Sequence, residues 1–332
     1  MKKLLVALGI AALSTGAMAQ TWNFEKTIGY GKSQSFSDRQ GNFWYRNSDN
    51  TVSKADRNGN LISTWGAGIL QTGGQGNSGI GTYGRDGNIY IKDNDVVRKF
   101  DSNGTYLSSF GAGEFGGFGG IATNSLNEVY VEDEYSHRIR VYDTSGNFKR
   151  QFGTFGTSGQ GTFAYPAGIA IDNQDRVYIV ENALHNPTER VQVFDSSGNF
   201  LFQFGKEGSA PGEFLSPDQI TVDNDGWIYV AEHYNHRISV FDNSGSFITF
   251  IGNGYGSADG QFDFAGPISV LDDKTIIVDN IRNGRLDMFK FSNPNNPGNN
   301  AVPEPSEWAA MGLLGTGLLG LVVRGRKKKL AN

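Results

Sequence analysis

The sequence contains no cysteine, only nine prolines and only four histidines among its 332 residues. Without cysteine, no disulfide can stabilise the fold and no thiolate can bind a metal ion. The scarcity of proline contrasts with an abundance of glycine (46 residues), which is typical of a chain with many tight turns. Any exported form of this chain must therefore be stable without disulfides.

An excess of basic residues is also absent, since the formal net charge is -5 at pH 7. Much of the positive charge lies at the two ends, at Lys2 and Lys3 and between Arg324 and Lys329. The stretch from 20 to 302 keeps 22 basic and 32 acidic residues. A body with this acidic balance lacks the basic face that binding to nucleic acid requires.

The first twenty residues, MKKLLVALGIAALSTGAMAQ, have the composition of a secretory signal peptide. Two lysines precede an apolar run from Leu4 to Leu13, and Ala17-Met18-Ala19 provides a small-x-small cleavage site. The apolar run is too short for a transmembrane helix. We therefore predict a signal peptide over 1–19 and a mature chain that begins at Gln20.

Self-similar units of about 45 residues fill the middle of the chain. Each unit ends in an aromatic or β-branched residue followed by glycine, at Gly66, Gly111, Gly153, Gly205 and Gly252. Each unit also holds four short strand-like runs, which in the fourth unit are GIAID, RVYIVE, RVQVFD and FLFQFG. Four strands in a unit of this length predict the blades of a β-propeller.

An Asp-x-x-Gly turn recurs between the third and fourth strands, at Asp56, Asp101, Asp143, Asp195 and Asp242. Aspartate caps its own backbone, and glycine supplies the positive φ that closes a hairpin with a bulge. Because the turn occurs five times in register, we interpret these aspartates as turn-forming residues, not catalytic ones.

The sixth unit begins at Pro267 and stops without a fourth strand. The missing strand has a counterpart at the mature N-terminus, where FEKTIGYG (24–31) is similar to FITFIGNG (247–254). We predict that the N-terminal strand completes the last blade and closes the ring. Closure of this kind removes exposed sheet edges.

Units such as GIAIDNQDRVYIVE followed by RVQVFDSSGNFLFQFG resemble NHL repeats. The resemblance covers roughly 22–291 and is clearest in the third to fifth units. The first unit lacks the arginine of the pattern, and the second displaces it. The resemblance implies an all-β fold, a six-bladed propeller with four-stranded antiparallel blades, over 20–291.

An acidic residue ends the second strand of most units, and an arginine begins the third strand. We predict four intra-blade structural pairs: Asp133 with Arg138, Glu181 with Arg190, Glu232 with Arg237, and Asp279 with Arg285. The first unit has Asn47 at the acidic position. The dipeptide His236-Arg237, and its copy at His137-Arg138, is on this interpretation part of the scaffold and not a reactive site.

In a propeller the loops between second and third strands share one face with the connections between blades. We call this surface the 2–3 face and predict that it binds the ligand. Its candidates are the acidic residues and all four histidines: Asp93, Asp133, His137, Glu181, His185, Glu232, His233, His236 and Asp279. Aromatic residues in the connections, such as Phe118, Tyr165 and Tyr255, add stacking surfaces, whereas Phe163 and Phe214 are expected to pack between blades.

Carboxylates together with histidines are also ligands for Ca²⁺ or Zn²⁺. A bound Ca²⁺ is therefore an open alternative, and so is a metal-dependent lyase or lactonase that uses the 2–3 face. No spacing of nucleophile, base and acid is present, so we predict no catalytic residue and favour a binding module over an enzyme.

The composition changes after Phe291. An Asn/Pro-rich linker (292–302) precedes Pro303-Glu304-Pro305, an apolar segment from Trp308 to Val323, and the basic cluster Arg324–Lys329. The apolar segment is short, but its tryptophan at the start and basic end are typical of a membrane helix. The three-part order over 303–329 closely resembles a PEP-CTERM sorting signal.

That resemblance implies export in a Gram-negative bacterium that makes exopolysaccharide. It also implies cleavage of the tail by an exosortase, a membrane protease that would be a transient partner. We expect an inner-membrane-anchored precursor and a mature protein at the cell surface or in the extracellular matrix. There the propeller would bind a glycan or a protein.

Overall fold

The computed structural model describes residues 21–70, 81–93, 95–115, 117, 119–182 and 188–292. The predicted signal peptide, the linker from 293 onward, the motif Pro303-Glu304-Pro305, the helix over 308–323 and His185 lie outside the described residues. Within the described ranges, no helix is long and apolar enough to cross a membrane.

The described strands form six four-stranded sheets arranged as propeller blades, and one short parallel pair. Blade 1 contains β2 (Lys32–Ser37), β3 (Asn42–Asn47), β4 (Val52–Asp56) and β5 (Leu61–Trp65). Blade 2 contains β6 (Gly81–Tyr83), β7 (Ile89–Asp93), β8 (Val96–Phe100) and β9 (Tyr106–Phe110). Blade 3 contains β10 (Ile121–Thr123), β11 (Val129–Asp133), β12 (Arg138–Tyr142) and β13 (Phe148–Phe152).

The second half of the ring has the same plan. The pair β14 (Thr154–Phe155) and β15 (Thr162–Phe163) leads to blade 4, with β16 (Pro166–Ile171), β17 (Val177–Glu181), β18 (Arg190–Phe194) and β19 (Phe200–Phe204). Blade 5 contains β20 (Pro217–Val222), β21 (Ile228–Glu232), β22 (Arg237–Phe241) and β23 (Phe247–Ile251). Blade 6 contains β24 (Ala265–Val270), β25 (Ile276–Asn280), β26 (Arg285–Ser292) and the N-terminal β1 (Thr21–Tyr30).

The N-terminal strand closes the ring as predicted, because β1 lies beside β26 in the order β1-β26-β25-β24. Trp22 on β1 is buried, and its ring centroid lies 4.7 Å from that of Phe291 and 5.8 Å from that of Trp227 in blade 5. Its indole Nε1 donates a hydrogen bond to the carbonyl oxygen of Lys274. The propeller accordingly forms one compact unit from Trp22 to Phe291.

The hydrophobic core lies between neighbouring blades. One cluster joins residues of blades 4 and 5, and others join blades 3 and 4, 1 and 2, 2 and 3, and 6 and 1. The second strand is buried throughout in blades 2 to 6, whereas the fourth strand alternates or is exposed. Each sheet is therefore stabilised by its neighbours on both faces.

The recurring turn glycines explain the aromatic residue that ends each unit. Gly146 has φ +86, and a Cβ built on it would lie only 2.4 Å from Phe110 of the preceding blade. The same close approach joins Gly104 to Trp65, Gly198 to Phe152 and Gly245 to Phe204. The Asp-x-x-Gly turn of one blade thus receives the terminal aromatic ring of the blade before it, and any side chain there would clash.

Candidate binding face

Three of the four ion pairs predicted from the repeat are present in the structure. The arginine Nε donates to the carboxylate at 2.8 Å in Arg138–Asp133, 2.7 Å in Arg190–Glu181 and 2.8 Å in Arg237–Glu232. Each acid ends the second strand directly opposite the arginine that begins the third. All three carboxylate side chains are fully buried.

The predicted pair between Asp279 and Arg285 is not formed. Asn280, not Asp279, occupies the last position of the second strand of blade 6 and lies opposite Arg285. Because neighbouring strand residues face opposite sides of a sheet, Asp279 points away from the arginine. Arg285 instead donates at 3.0 Å to Asp287, two residues along its own strand.

Blade 2 has an ion pair that sequence reasoning missed. Asp93 lies opposite Val96, but Arg98, two residues along, reaches it with Nε at 2.6 Å. A shift of two residues keeps a side chain on the same sheet face. The period-two alternation of strands was the signal that could have found this pair and the Arg285–Asp287 pair.

These acids also organise the starts of the strands around them. Glu181 accepts hydrogen bonds from the backbone N–H of Ala164 at 3.0 Å and from Gln192 at 2.7 Å. Burial raises the pKa of Glu181 above its usual range, although Arg190 opposes that shift. Carboxylates bonded in this way have few lone pairs left for a ligand, so we assign them to the scaffold.

A second set of charged residues lies on the second strands, one position before the acids that pair with arginine. Of this set, only Asp279 was predicted as a site residue. Glu132 and Lys92 occupy this position in blades 3 and 2. Glu132 accepts from the N–H of Gly120 at 2.7 Å, and Asp279 from that of Gln34 at 3.1 Å. A charged residue inside an otherwise apolar strand was the available sequence signal.

Burial dominates the titration of these groups. It raises the pKa of Glu132 to about 8 and that of Asp279 to about 7, and it lowers the pKa of Lys92 to about 8. Lys92 donates to the carbonyl oxygen of Gly117 at 2.8 Å. All three side chains are nearly inaccessible to solvent, so a ligand on the outer surface would not touch them.

The three described histidines, His137, His233 and His236, lie on the 2–3 face among aromatic rings. In blade 3 the ring centroid of His137 is 4.8 Å from that of Phe155 and 5.2 Å from that of Tyr165. The N–H of Tyr165 donates to His137 Nδ1 at 3.3 Å. Phe155 and Tyr165 are 62% and 41% exposed, and Tyr135 nearby is 59% exposed. We call Tyr135, His137, Phe155 and Tyr165 the first platform.

An equivalent second platform lies two blades further on and consists of Tyr234, His236, Tyr255 and Phe264. The centroid of His236 is 4.8 Å from that of Tyr255 and 6.2 Å from that of Phe264. Tyr255 is 67% exposed and Tyr234 46%. Burial lowers the pKa of both His137 and His236, so both imidazoles are predominantly neutral at pH 7.

His233 does not contribute to the exposed surface of either platform. Its ring stacks on Phe264 with 4.8 Å between centroids, and its Nε2 lies 3.4 Å from a carboxylate oxygen of Asp218. The guanidinium of Arg282 also lies over the ring of Phe264, with its Cζ 3.5 Å from the ring centroid. Phe264 is thus held in place by polar neighbours.

The acids considered as alternative ligands for Ca²⁺ have other partners. Asp133, Glu181 and Glu232 are each bonded to the arginine of their own blade, and His137 and His236 lie in non-adjacent blades. Over the part of the chain that the structure describes, no group of three or more His, Asp or Glu side chains is arranged to hold a metal ion.

Comparisons with known proteins agree with this architecture. A model of the 6-bladed beta-propeller family matches residues 175–251, and the NHL repeat model matches residues 119–142. The brain tumor protein of Drosophila melanogaster is 33% identical over 135 residues, covering 40% of this chain and 12% of that protein. NHL repeat-containing protein 3 of Mus musculus is 29% identical over 164 residues, covering 47% of this chain and 45% of that protein.

The matches thus span less than half the length of either relative. Among solved structures, that of a streptogramin B lyase superposes with a TM-score of 0.55 at 14% identity, over 82% of this chain and 98% of the lyase. At that identity the likeness shows the fold alone. The chain is a six-bladed β-propeller with four-stranded antiparallel blades, and it contains an NHL repeat.

Proposed function

We propose that this propeller is an exported binding module whose 2–3 face holds a glycan. The observation that carries the proposal is the duplication of an exposed aromatic–histidine platform in blades 3 and 5. Exposed ring faces such as those of Phe155 and Tyr255 are apolar and flat, and a sugar ring can stack on them. The neutral imidazole of His137 accepts from Tyr165 N–H at Nδ1, so its Nε2–H is left to donate to a sugar hydroxyl.

Two platforms on one face suit a repeating polymer. Once one sugar unit is bound, the second platform meets another unit of the same chain at high effective concentration, which increases overall affinity. An exopolysaccharide has such repeats, and the acidic body of the propeller favours a neutral or basic polymer over a strongly acidic one.

The proposal is tested with Phe155→Ala and Tyr255→Ala, separately and together, on a glycan array and by calorimetry with the best polysaccharide. Each single change should weaken binding by about tenfold, the loss typical of an aromatic anchor. Tyr106→Ala is the control, because Tyr106 is also an exposed aromatic residue but lies on the fourth strand of blade 2.

Equal loss in the control, or no effect in the double variant, would overturn the assignment of the 2–3 face. If a protein binds in the absence of polysaccharide, and this binding depends on the same two rings, the ligand of the 2–3 face would be a protein and not a glycan. Exposed tyrosines are also frequent at protein interfaces.

We further propose that the two ends of the chain direct export and release. The support is the sequence: a signal peptide over 1–19, and the order Pro303-Glu304-Pro305, apolar segment and basic cluster at the other end. Loss of the exosortase, or replacement of Pro303-Glu304-Pro305 by alanines, should trap a larger membrane-bound precursor. Cell fractionation with intact-mass measurement tests this, and a surface protein that retains Arg324–Lys329 would refute processing.

A further inference from the structure

The central channel of the propeller is lined by the first strands of all six blades. It forms a cavity of about 500 Å³, a size that suits a small molecule. Its lining extends to the turns between first and second strands, including Arg39, Arg85, Asn173 and Asn224. We call this end of the channel the 1–2 mouth, to distinguish it from the 2–3 face described above.

Two arginines from different blades reach the same corner of the 1–2 mouth. Arg39 of blade 1 donates from Nη2 to the carbonyl oxygen of Ile171 at 3.1 Å. Arg85 of blade 2 donates from Nη2 to Oδ1 of Asn173 at 2.8 Å. Ile171 and Asn173 are two residues apart in blade 4, so two positive charges are brought close together.

Among the described residues, Arg39 and Arg85 form hydrogen bonds only to neutral groups and no ion pair. Asp223 and Asp172 attract the guanidinium of Arg39 at longer range, but each is bonded to a cation of its own, Lys274 and Arg176 respectively. Burial and the repulsion by Arg85 both lower the pKa of Arg39. A bound anion in direct contact would offset these two costs.

The backbone at Arg39 supports a specific role for its side chain. Arg39 has φ +57, and it occupies the second position of the turn in blade 1. The fourth position of this turn has positive φ in all six blades, at Gly41, Gly87, Asn127, Asp175, Gly226 and Lys274, so the positive φ at the second position is an additional feature of blade 1. Positive φ is uncommon for a long side chain, and strain of this kind is concentrated at functional sites.

The amides at the mouth hold the two arginines in a connected network. Nδ2 of Asn173 donates to the carbonyl oxygen of Asn224 at 3.1 Å, and Nδ2 of Asn224 donates to that of Arg39 at 3.2 Å. The network spans blades 1, 2, 4 and 5. Each guanidinium has five N–H donors, so most of its donors are left for a ligand.

We propose that the 1–2 mouth binds a small molecule through an oxyanion, a carboxylate or a phosphate, held by Arg39 and Arg85. The planar fork of a guanidinium matches both groups with two parallel hydrogen bonds. The first strands line the cavity beyond with a mixed surface, in which Ile121, Ile169 and Ile220 alternate with polar residues such as Thr82, Thr123 and Gln219. This site is separate from the proposed glycan face, so failure of one proposal leaves the other intact.

The probes are inorganic phosphate and sodium benzoate, a carboxylate with an apolar body, titrated by calorimetry at millimolar concentrations with chloride at equal ionic strength as the blank. We expect saturable binding of at least one probe at a single site. Arg85→Gln, on an exposed side chain, should weaken it by about tenfold, because one charge-assisted hydrogen bond is lost. Arg39→Gln should do the same.

The control is Arg57→Gln, which removes one positive charge from an exposed arginine that is paired with Asp272 and does not line the cavity. Binding should be unchanged in this variant, and the bound probe should raise the melting temperature of the wild type and of Arg57→Gln but not of Arg85→Gln. Absence of saturable binding for both probes, or equal binding by Arg85→Gln, would overturn the proposal and leave the two arginines as cross-links between blades.

Discussion

Blades 5 and 6 have the same four-stranded sheet but different chain connections. Blade 5 is continuous from Pro217 to Ile251, whereas blade 6 joins β24–β26 to the N-terminal strand β1. In blade 5 Glu232 bonds Arg237 across two strands, and in blade 6 Asp287 bonds Arg285 along one strand. The comparison shows that an acid can pair with the arginine from different strand positions, provided that both side chains lie on the same face of the sheet.

The acid of blade 6 also joins the two ends of the propeller. Asp287 accepts from Arg285 Nε at 3.0 Å, from Asn280 Nδ2 at 2.9 Å and from Thr27 Oγ1 on β1 at 2.8 Å. Glu232 of blade 5 accepts only from groups within residues 215–239. Both acids therefore have donors besides the arginine, and in blade 6 one of these donors, Thr27, belongs to the strand that closes the ring.

The largest difference in stability between the two blades is expected when residues 22–30 are deleted. Blade 6 would lose its outer strand and expose the edge of β26, and Trp22 would no longer pack on Trp227. The single change Trp22→Ala should already lower the free energy of unfolding by about 3–5 kcal/mol. Melting curves and size-exclusion chromatography measure both, with Tyr30→Ala, a 72% exposed residue on the same strand, as the control. A deleted protein that melts normally and stays monodisperse would refute closure by β1.

Removing the arginine should cost at least as much in blade 6 as in blade 5. Arg237→Ala leaves the buried Glu232 carboxylate without its cation, which typically costs about 3–5 kcal/mol. Glu232 keeps three neutral donors in that variant, from Leu215, Asn235 and Ser239. After Arg285→Ala, the equally buried Asp287 keeps two, from Asn280 and Thr27. Urea unfolding of both variants measures the difference. Adding Glu232→Gln to Arg237→Ala should recover part of the loss, and a clearly smaller loss in blade 6 would contradict the comparison.

A smaller effect is expected from the buried acid that distinguishes the two blades. Asp279 of blade 6 corresponds to Ala231 of blade 5, and burial raises the pKa of Asp279 to about 7 from its usual 3.8. Between about pH 4 and pH 7 the folded state therefore holds a proton that the unfolded state has released. The free energy of unfolding must fall as pH rises through this window.

Asp279→Asn should remove this contribution, so its stability should match the wild type near pH 4 and exceed it near pH 8. Asp218, His233 and Asp287 are the charged neighbours, and Glu132, with a pKa raised to about 8, adds a dependence of the same sign. The measurement is therefore the difference between wild-type and variant unfolding curves at each pH. The control is Asp259→Asn, which changes an exposed acid in the connection between blades 5 and 6. If the difference in free energy of unfolding between wild type and Asp279→Asn stayed constant from pH 4 to pH 8, Asp279 would not be a buried protonated acid.

The smallest effect is expected at the histidine beside the blade 5 arginine. His236→Ala should change the free energy of unfolding by only about 0.5 kcal/mol, because the imidazole is partly exposed and contacts rings that keep other partners. Chemical denaturation measures the change, and His137→Ala is the equivalent variant in blade 3. A loss as large as that of Arg237→Ala would show that the imidazole belongs to the buried scaffold.

The sequence determined the propeller, its six blades and the strand that closes them. Turn chemistry and strand alternation are local, and the same signals repeat in every unit, so an error in one unit is corrected by the others. Three ion pairs followed from the same repetition, since Asp133, Glu181 and Glu232 hold the common register. The glycine at each third-to-fourth turn was also fixed by the sequence, as a residue that must adopt positive φ.

The tertiary structure alone decided which side chains meet from distant parts of the chain. Arg39 and Ile171 are 132 residues apart, and only the curvature of the closed ring brings them together at the 1–2 mouth. The register of blade 6 places Asn280 at the strand position that Glu232 holds in blade 5, so Asp279, one residue earlier, faces away from Arg285. The platforms likewise join residues of a loop to those of the next connection, and such contacts leave no periodic trace in the sequence.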